Sequence, residues 1–354
     1  MKRNPPVELS GIKEIARRAN VSIATVDRVI HKRTGVSIKT RDKINKIISD
    51  LDYQPNLLAR RLASRKTIRI GTLIPKIGGE SSFWEAPLRG IEQAESELRQ
   101  LGIIIEKTFF DQEDSSSFIK QSTQVLKNKP DGILLAPSFV EEATEFTNIC
   151  RQQQIPYVFI NSDIPQQKSL CYIGPDLYRS GYLAGNLMSY LVADHHEILI
   201  VNVTKELEDR HHLKRKEEGL KAYFADHHRN NVISTLNILQ FDPKSIESAL
   251  SAELNKNRNI KIIFVTNSRV SAVANYLKQI KHEVLLVGYD FLKENIDYLN
   301  EGVIDFLICQ KPVEQAYRGV MSLYQHLVLS STVEERYFMP IDIITKENYA
   351  YYRN

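Results

Sequence analysis

The chain has 354 residues, of which 42% are hydrophobic and 25% are charged. This composition is typical of soluble globular protein, and the length suits two or three domains. Its apolar runs are far shorter than the roughly 20 residues that a membrane-spanning helix needs. The three cysteines are widely spaced without a Cys-x-x-Cys pair, and the N-terminus has no apolar signal segment. We therefore expect a cytoplasmic protein with no metal site, no disulfide framework and no cofactor.

The charge is distributed unevenly along the chain. Residues 1–66 contain 16 Lys and Arg against 6 Asp and Glu, a net charge of +10, which leaves 31 against 37, or −6, for residues 67–354. A basic block attached to a mildly acidic body indicates a module that binds a polyanion, although a solvated basic tail has the same charge. The pattern inside the block favours a folded module.

Two short helices are predicted at the start of this block. Apolar residues fall at helical spacing in 12–19 and again in 23–30. Between them, Asn20 suits a tight left-handed turn, and Ser22 can cap the second helix by accepting a backbone N–H. Two helices joined by such a turn form a helix-turn-helix, whose second helix enters the major groove of DNA.

A third helix is predicted after Ser37, which can cap it, with an apolar stripe from Ile38 to Leu51. Pro55 breaks this pattern, and Asn56 can cap a fourth helix over residues 57–63. That helix has only two turns, and helices below about 12 residues are marginal alone in water.

The segment from Gly11 to Thr67 resembles the headpiece of the lactose-repressor (LacI/GalR) family. The matching strings are IKEIARRANVSIATVDRVI, GVSIKTRDKI and LDYQPNLLARRLASRKT, of which the last carries the family's hinge-helix signature. Asn20 stands where the family usually has glycine, and Asp27 and Ala24 also depart from the usual residues. These departures affect which operator is recognised and leave the DNA-binding prediction intact.

The resemblance implies roles for ten residues. Arg28 is the expected specific reader because a guanidinium can bind both O6 and N7 of guanine, with a phosphate contact as the alternative. Leu62 matches a leucine that opens the minor groove at the operator centre, with packing in the hinge as the alternative. For Tyr53 the alternative to a contact near the DNA backbone is packing in the headpiece core. The implied DNA-binding residues are Ser22, Ile23, Ala24, Thr25, Asp27, Arg28, Tyr53, Asn56, Ala59 and Leu62.

From Ile68 onward, short apolar strands alternate with helices, which predicts parallel sheets covered on both faces and, at this length, two lobes. The predicted helices include 86–101, 118–128, 179–191 and 269–280. The predicted strands are 68–74, 102–109, 132–136, 157–160, 170–173, 197–203, 232–238, 260–265, 284–287 and 306–308.

Catalytic motifs are not found in this body. No phosphate loop, dinucleotide fingerprint or nucleophile elbow occurs, and the adjacent histidines lack metal-ligand spacing. Aromatic, carboxylate and amide side chains instead follow the predicted strands, where ligands bind in open α/β sheets. Such groups suit the apolar faces and hydroxyls of a polyol.

The body resembles the effector domain of the same family and, more closely, periplasmic ribose-type sugar-binding proteins. The matching strings are YIGPDLYRSGYLAGNLM, FVTNSRVSAVANYL, VGYD and ICQKPVEQAYRGV. The resemblance implies that Phe83 and Trp84 stack on the ligand. It also implies that Lys214 or Arg215 occupies the position of a ligand-contacting arginine in the family, and the resemblance does not decide between the two. The alternative for both is a place on a solvated helix face. For Asp290 and Asn267 the alternative is a turn or helix-cap role. The full candidate set is Phe83, Trp84, Ser162, Asp163, Asp176, Lys214, Arg215, Phe241, Asn267, Asp290 and Gln310.

Together these features predict a small all-α helix-turn-helix headpiece followed by a two-lobed α/β domain like a type I periplasmic binding protein. The expected divisions are a flexible segment 1–10, headpiece 11–55, hinge 56–67 and effector domain 68–354, with an N-lobe of 68–174 and 311–339 and a C-lobe of 175–310 and 340–354. We expect a homodimeric repressor that binds near-palindromic double-stranded DNA under the control of a sugar or polyol. The alternatives are a sugar receptor without a regulatory role and a sugar-modifying enzyme.

Overall fold

The computed structural model describes residues 11–30, 33–51, 53, 67–78, 82–164, 166–204, 211–281 and 283–354. The chain divides into two compact units, Met1–Arg65 and Lys66–Asn354.

The described part of the first unit contains three helices around a small apolar core. They are α1 (Ile12–Ala19), α2 (Ile23–Ile30) and α3 (Ile38–Asp50). The buried core consists of Ile15, Ala16, Ala19, Val26, Val29 and Ile44, and Tyr53 packs against it partly buried. The core alternative for Tyr53 is therefore compatible with its position.

The turn and caps follow the sequence prediction. Asn20 has φ 56° and ψ 48° and ends α1 in the left-handed conformation. The Oγ of Ser22 accepts a hydrogen bond from the backbone N of Thr25 at 3.1 Å. Ser37 caps α3 in the same way, through the backbone N of Thr40 at 3.2 Å. The predicted hinge helix, including Asn56, Ala59 and Leu62, lies outside the described residues.

The second unit contains two six-stranded sheets. The first has the order β11-β5-β4-β3-β1-β2, and all its neighbouring strands are parallel. Its strands are β1 (Ile68–Pro75), β2 (Ile103–Phe110), β3 (Gly132–Leu135), β4 (Tyr157–Ile160), β5 (Cys171–Gly174) and β11 (Arg336–Phe338).

The second sheet has the order β12-β10-β9-β8-β6-β7 and is parallel except for the antiparallel edge strand β12. Its strands are β6 (Glu197–Val203), β7 (Ile233–Ile238), β8 (Ile260–Val265), β9 (Leu285–Tyr289), β10 (Phe306–Cys309) and β12 (Asp342–Ile344).

Helices cover both faces of each sheet, and each sheet has an apolar core on either side. The α-helices of this unit are α4 (Glu85–Leu98), α5 (Ser115–Lys127), α6 (Val140–Gln152), α7 (Leu177–Ser189), α8 (His211–Asp226), α9 (Pro243–Lys256), α10 (Val270–Ile280), α11 (Lys293–Asn300) and α12 (Pro312–Leu327). Short 3₁₀ helices cover Arg99–Leu101 and Tyr349–Tyr351. None of the helices in the described part of the chain is long and apolar enough to cross a membrane.

The chain passes between the sheets three times, after β5, between β10 and α12, and between β11 and β12. The expected lobe boundaries fall in these same three connections. We use N-lobe and C-lobe below for the halves built on the first and second sheet, with α12 packed on β3, β4 and β5 of the first.

All ten predicted strands agree with the structure to within two residues at each end, and those at 157–160, 197–203 and 260–265 begin and end at the predicted residues. Strands β11 and β12 were not predicted. Each has only three residues and lies on the edge of a sheet, so neither contains the apolar run on which the prediction relied.

Candidate functional site

The surface of α2 in the first unit carries the side chains expected to face DNA. Val26 and Val29 point into the core, whereas Ile23 is 46% exposed and Arg28 is also exposed. Ser22 and Ala24 are exposed as well, and Thr25 and Asp27 are partly so. A helix with one face buried in this way leaves its N-terminal side chains available for base edges.

Asp27 is held by an ion pair, with its Oδ2 at 3.2 Å from a guanidinium nitrogen of Arg33. The pair partly offsets the repulsion that a carboxylate on this surface would exert on phosphate. In the same unit the Lys43 ammonium donates to the backbone O of Ala19 at 2.8 Å, which ties α3 to the end of α1.

In the second unit, a cavity of about 340 Å³ lies between the two lobes. Its lining comes from the segments that follow the carboxyl ends of strands in both sheets, where ligands of open α/β sheets bind. The N-lobe supplies Lys76, Gly78, Phe83, Trp84, Asp111, Gln112, Glu113 and Asn161. The C-lobe supplies Val203, Thr204, His212, Leu213, Lys216, Phe241, Asn267, Ser268, Arg269, Asp290 and Gln310.

A carboxylate and an amide stand together in the C-lobe wall. Asp290 and Gln310 are 6% and 3% exposed, and Nε2 of Gln310 donates to Oδ1 of Asp290 at 3.1 Å. Burial raises the pKa of Asp290 to about 6, against the opposing effects of Lys216 and of this hydrogen bond. The carboxylate keeps unused acceptor positions toward the cavity.

A buried lysine faces the same region. Lys216 is 4% exposed, its Nζ donates to the backbone O of Thr266 at 2.9 Å, and it lies 3.6 Å from the ring centroid of Tyr289. Burial lowers its pKa to about 8, although the negative charge of Asp290 acts to raise it. Between about pH 6 and 8 the wall therefore presents one buried cation and one buried anion.

Aromatic rings contribute to the cavity wall from both lobes. Phe83 and Trp84 meet edge to face with centroids 5.1 Å apart, and Nε1 of Trp84 donates to Oε1 of Gln112 at 3.1 Å. On the C-lobe side the guanidinium of Arg269 lies 3.6 Å from the ring centroid of Phe241. Apolar faces of this kind suit the C–H surface of a sugar ring.

Two ion pairs lie among the cavity residues. Nζ of Lys76 is 2.7 Å from Oδ2 of Asp111, and a guanidinium nitrogen of Arg269 is 3.5 Å from Oε1 of Glu113. The second pair joins the C-lobe to the N-lobe. Because both rim cations face carboxylates, the cavity has no large excess of either charge.

Six of the eleven predicted ligand-binding residues lie in this cavity: Phe83, Trp84, Phe241, Asn267, Asp290 and Gln310. Their role in binding stays a prediction. The amide of Asn267 also bonds locally, since its Nδ2 donates to the backbone O of Val203 at 2.8 Å.

The structure does not place the other five in the cavity, and each of four has a local structural role. Asp176 caps α7 by accepting from the backbone N of Arg179 at 2.9 Å. Asp163 lies 3.6 Å from Arg336, and the Ser162 hydroxyl donates to the backbone O of Pro137 at 3.4 Å. Arg215 pairs with Glu218 at 2.6 Å. Lys214 lies on the exposed side of α8.

Lys216 is the cationic residue of α8 that the sequence analysis did not select. The string HHLKRKEEG offers three consecutive basic residues, and only the helix phase determines which of them points inward. Leu213, Lys216 and Leu220 share the buried face at spacings of three and four residues. This phase was the signal that could have identified Lys216.

The other polar or charged cavity residues missed from the sequence are Lys76, Asp111, Gln112, Glu113, Asn161, Thr204, His212, Ser268 and Arg269. Each lies in a segment that follows a strand, or at the start of α8. Polar residues are common in such loops, so their type alone gave no reason to select them.

Among the described residues, no group of three His, Cys, Asp or Glu side chains is arranged to hold a metal ion.

Comparison with known proteins finds a matching family for each of the two units. Residues 70–329 match the family model for the periplasmic binding protein domain, and residues 11–56 match that for bacterial regulatory proteins of the lacI family. The chain is 31% identical over 152 residues to catabolite control protein A of Staphylococcus epidermidis, covering 43% of this chain and 44% of that protein. It is 34% identical over 154 residues to the HTH-type transcriptional regulator RegA of Clostridium acetobutylicum, covering 43% of each. The aligned region thus spans less than half the length of these curated relatives.

Solved structures are similar over a larger share of the chain. A structure named as a LacI transcriptional regulator from Bacteroides fragilis is 29% identical with a TM-score of 0.75, covering 81% of this chain and 100% of that one. The glucose-galactose binding protein GanP from Geobacillus stearothermophilus shares the fold at 21% identity and a TM-score of 0.71, covering 80% and 99%. Since the domain match at residues 70–329 covers well over half of the 354 residues, the chain belongs to the periplasmic binding protein domain family and carries a lacI-family regulatory domain at residues 11–56.

Proposed function

We propose that this protein is a sequence-specific DNA-binding transcriptional repressor whose affinity for its operator is controlled by a small carbohydrate or polyol. The observation that carries the proposal is the combination, in one chain, of an exposed α2 surface on a basic unit with a polar, aromatic-lined cavity between two lobes. Neither feature alone would indicate ligand-controlled DNA binding.

The DNA-binding part rests on the first unit. Its α2 exposes Ile23, Ala24 and Arg28 beside a net charge of +10 over residues 1–66. Positive charge supplies general affinity for phosphate, and the side chains on the helix supply discrimination among bases. Two such units in a homodimer would fit the two half-sites of a near-palindromic operator. We place the protein in the cytoplasm, where this DNA would be found.

The ligand part rests on the buried pair in the C-lobe wall. Asp290 can accept from a hydroxyl and Lys216 can donate to one, so vicinal hydroxyls would satisfy both groups. Phe83 and Trp84 provide apolar contact, and the paired rim charges favour a neutral ligand over an anion. We propose Phe83, Trp84, Lys216, Phe241, Asn267, Asp290 and Gln310 as the binding set.

Coupling between the two parts would operate through lobe closure. Binding between the lobes favours the closed form by as much as its differential affinity for that form. In a dimer, closure would change the spacing of the segments that lead to the two headpieces. The expected hinge helix, too short to be stable alone, would then be ordered or melted.

Two other functions remain alternatives. A sugar receptor without a regulatory role would use the cavity but would leave the exposed α2 without a use. We do not propose an enzyme, because the sequence of residues 67–354 contains no phosphate loop, dinucleotide fingerprint or nucleophile elbow, and turnover of candidate sugars would be the observation against us.

The full-length chain allows a direct test because Trp84 is its only tryptophan and lies in the cavity. We expect one or more members of a panel of pentoses, hexoses and polyols to change Trp84 fluorescence and raise the melting temperature. The same sugar should change binding to a duplex selected from a random-sequence pool. If such a duplex is obtained and no sugar alters its affinity, control by a sugar is wrong.

A further inference from the structure

A buried glutamine joins the two lobes where the chain passes from the second sheet to the first. Gln315 lies near the start of α12 and is 1% exposed, and both ends of its amide are hydrogen-bonded. Its Oε1 accepts from the backbone N of Asn161 at 3.0 Å, and its Nε2 donates to the backbone O of Gln310 at 2.7 Å. Asn161 follows β4 and Gln310 follows β10, so one side chain connects strand ends of different sheets.

Both partners of this amide line the cavity. The side chain of Gln310 continues the connection by donating to Asp290 at 3.1 Å, while its own Oε1 is buried and has no hydrogen-bond partner within the described part of the chain. An unpartnered buried amide oxygen is unfavourable unless something else satisfies it. The amide of Gln310 is therefore held in the cavity wall with one buried acceptor unsatisfied.

The backbone at these positions is unusual. Asn161, Asp290 and Lys311 have φ values of 70°, 75° and 55°, in the left-handed region that residues other than glycine seldom adopt. Such conformations persist where surrounding contacts fix them. Gln315 bonds directly to Asn161 and to the residue before Lys311, and Asn295 similarly donates to the backbone O of Asp290 at 3.1 Å.

The lobes are closed in this arrangement. The Ser82 hydroxyl of the N-lobe donates to Glu294 of the C-lobe at 3.2 Å. Leu292 from the C-lobe belongs to the same apolar cluster as Phe83 and Trp84, and Trp84 is 4% exposed. Separation of the lobes would remove these contacts and admit solvent to the tryptophan.

We propose that Gln315 is a positioning residue that stabilises lobe closure and fixes the position of Gln310 in the cavity wall. When the lobes rotate about the connection 309–312, the backbone O of Gln310 moves relative to Asn161, and the Gln315 amide cannot remain bonded to both. The closed form therefore has a bond that the open form lacks. The proposal rests on the proposed function only in treating the cavity as a ligand site.

The test uses acrylamide quenching of Trp84 fluorescence in the full-length chain, without sugar or DNA. Gln315→Met removes both hydrogen bonds at similar side-chain size, whereas Gln315→Glu keeps the acceptor for Asn161 and loses the donor to Gln310. The control is Val320→Ala, a fully buried position on the same helix that faces the N-lobe core. Melting curves give a common temperature at which all variants are folded.

We expect the Stern–Volmer constant of Trp84 to rise at least twofold in Gln315→Met and by a similar factor in Gln315→Glu at pH 8, and to stay at the parent value in Val320→Ala. If Gln315→Met quenches like Val320→Ala, Gln315 serves packing only and the proposal fails. If the Stern–Volmer constant rises in Gln315→Met and stays at the parent value in Gln315→Glu, the effect comes from the bond to Asn161 alone, and the proposed link between the lobes is refuted. If Gln315→Met does not fold, the Glu variant alone decides between these outcomes. Because no sugar is used, failure of every sugar to bind would defeat the proposed function and leave this result standing.

Discussion

At the scale of single residues, Asp290 and Lys216 give the fold a characteristic pH dependence. Burial raises the pKa of Asp290 from 3.8 to about 6 and lowers that of Lys216 from 10.5 to about 8. A carboxyl with a raised pKa makes the folded state bind more protons between about pH 4 and 6, so the free energy of unfolding increases as the pH falls through that range. The amine acts in the opposite sense and increases stability as the pH rises above about 8.

The substitution Asp290→Asn should remove the acid part of this dependence. We expect the free energy of unfolding of the parent, relative to the variant, to rise by about 1–3 kcal/mol between pH 7 and pH 4. Urea unfolding of both chains at several pH values measures it. Ser162→Ala, outside the cavity and without a titratable side chain, is the control and should show the same pH dependence as the parent. A difference between parent and Asp290→Asn that does not change with pH would contradict the assignment.

Arg28 tests the recognition surface at the same scale. Because a guanidinium can bind guanine in a bidentate manner, Arg28→Ala should weaken binding to a selected operator by about 10- to 100-fold, equivalent to about 1–3 kcal/mol. Binding to random duplex should change far less. The measurement is fluorescence anisotropy with both duplexes. Arg17→Ala, on the exposed side of α1 and paired with Glu14, is the control.

An equal loss on both duplexes would show that Arg28 contacts phosphate, the alternative that the sequence left open.

Residues whose role depends on local pattern could be predicted from the sequence. Asn20, Ser22 and Ser37 act within three residues of themselves, and the structure places all three as expected. Asp176 shows the limit, because a short carboxylate after a strand is equally suited to a ligand and to a helix N-terminus. Its bond to Arg179 depends on where α7 begins, which the sequence does not determine to one residue.

At the scale of elements, the close packing of α7 on α8 fixes the position of Lys216. A Cβ atom at Gly181 would lie 1.8 Å from the backbone O of Lys216, and one at Gly219 would lie 2.0 Å from the backbone O of Tyr178. Each helix therefore approaches the other where it has no side chain. This contact holds the backbone of α8 at the depth from which Lys216 reaches the cavity.

We expect Gly181→Ala to push the helices apart, to lower the free energy of unfolding by about 1–3 kcal/mol, and to weaken the response of Trp84 to the sugar found in the screen. Gly319→Ala in α12 is the control, since the nearest atoms to its Cβ would be side-chain atoms of the first sheet, with Cδ1 of Leu134 at 2.4 Å, and none from α8. It should destabilise the chain while leaving sugar affinity within about twofold, a difference near the scatter of independent sites. Equal losses of affinity in both variants would mean that α8 does not position the site.

Elements buried on both faces were the ones most accessible to sequence reasoning. Strands β4, β6 and β8 are almost entirely buried apolar runs, and their limits were predicted correctly. The contact between Gly181 and α8 could not be foreseen, because it joins residues 35 positions apart and depends on how two helices cross. The same holds for the two bonds of Gln315, whose partners come from strand ends of different sheets.

At the scale of the whole molecule, the proposed function assigns DNA and sugar to different units with opposite net charge. The +10 of residues 1–66 and the −6 of residues 67–354 would make DNA binding depend on ion release, whereas the cavity, with its paired rim charges, should bind a neutral sugar almost independently of salt. One chain should therefore show two binding reactions with contrasting salt dependence.

We expect operator affinity of the full-length chain to fall by about 10³-fold between 50 and 200 mM salt, as for proteins that neutralise six or more phosphates. Over the same range, the sugar affinity measured by Trp84 fluorescence should change by less than about twofold, because neutral hydrogen bonds in a closed cavity release no counterions. Fluorescence anisotropy with the operator gives the DNA affinity, and titration of Trp84 fluorescence gives the sugar affinity. Because both use one preparation, the same active fraction applies to both values. Operator binding that is insensitive to salt would remove the basic unit from the mechanism, whereas sugar binding that weakens steeply with salt would indicate an anionic ligand and overturn the assignment of a neutral polyol.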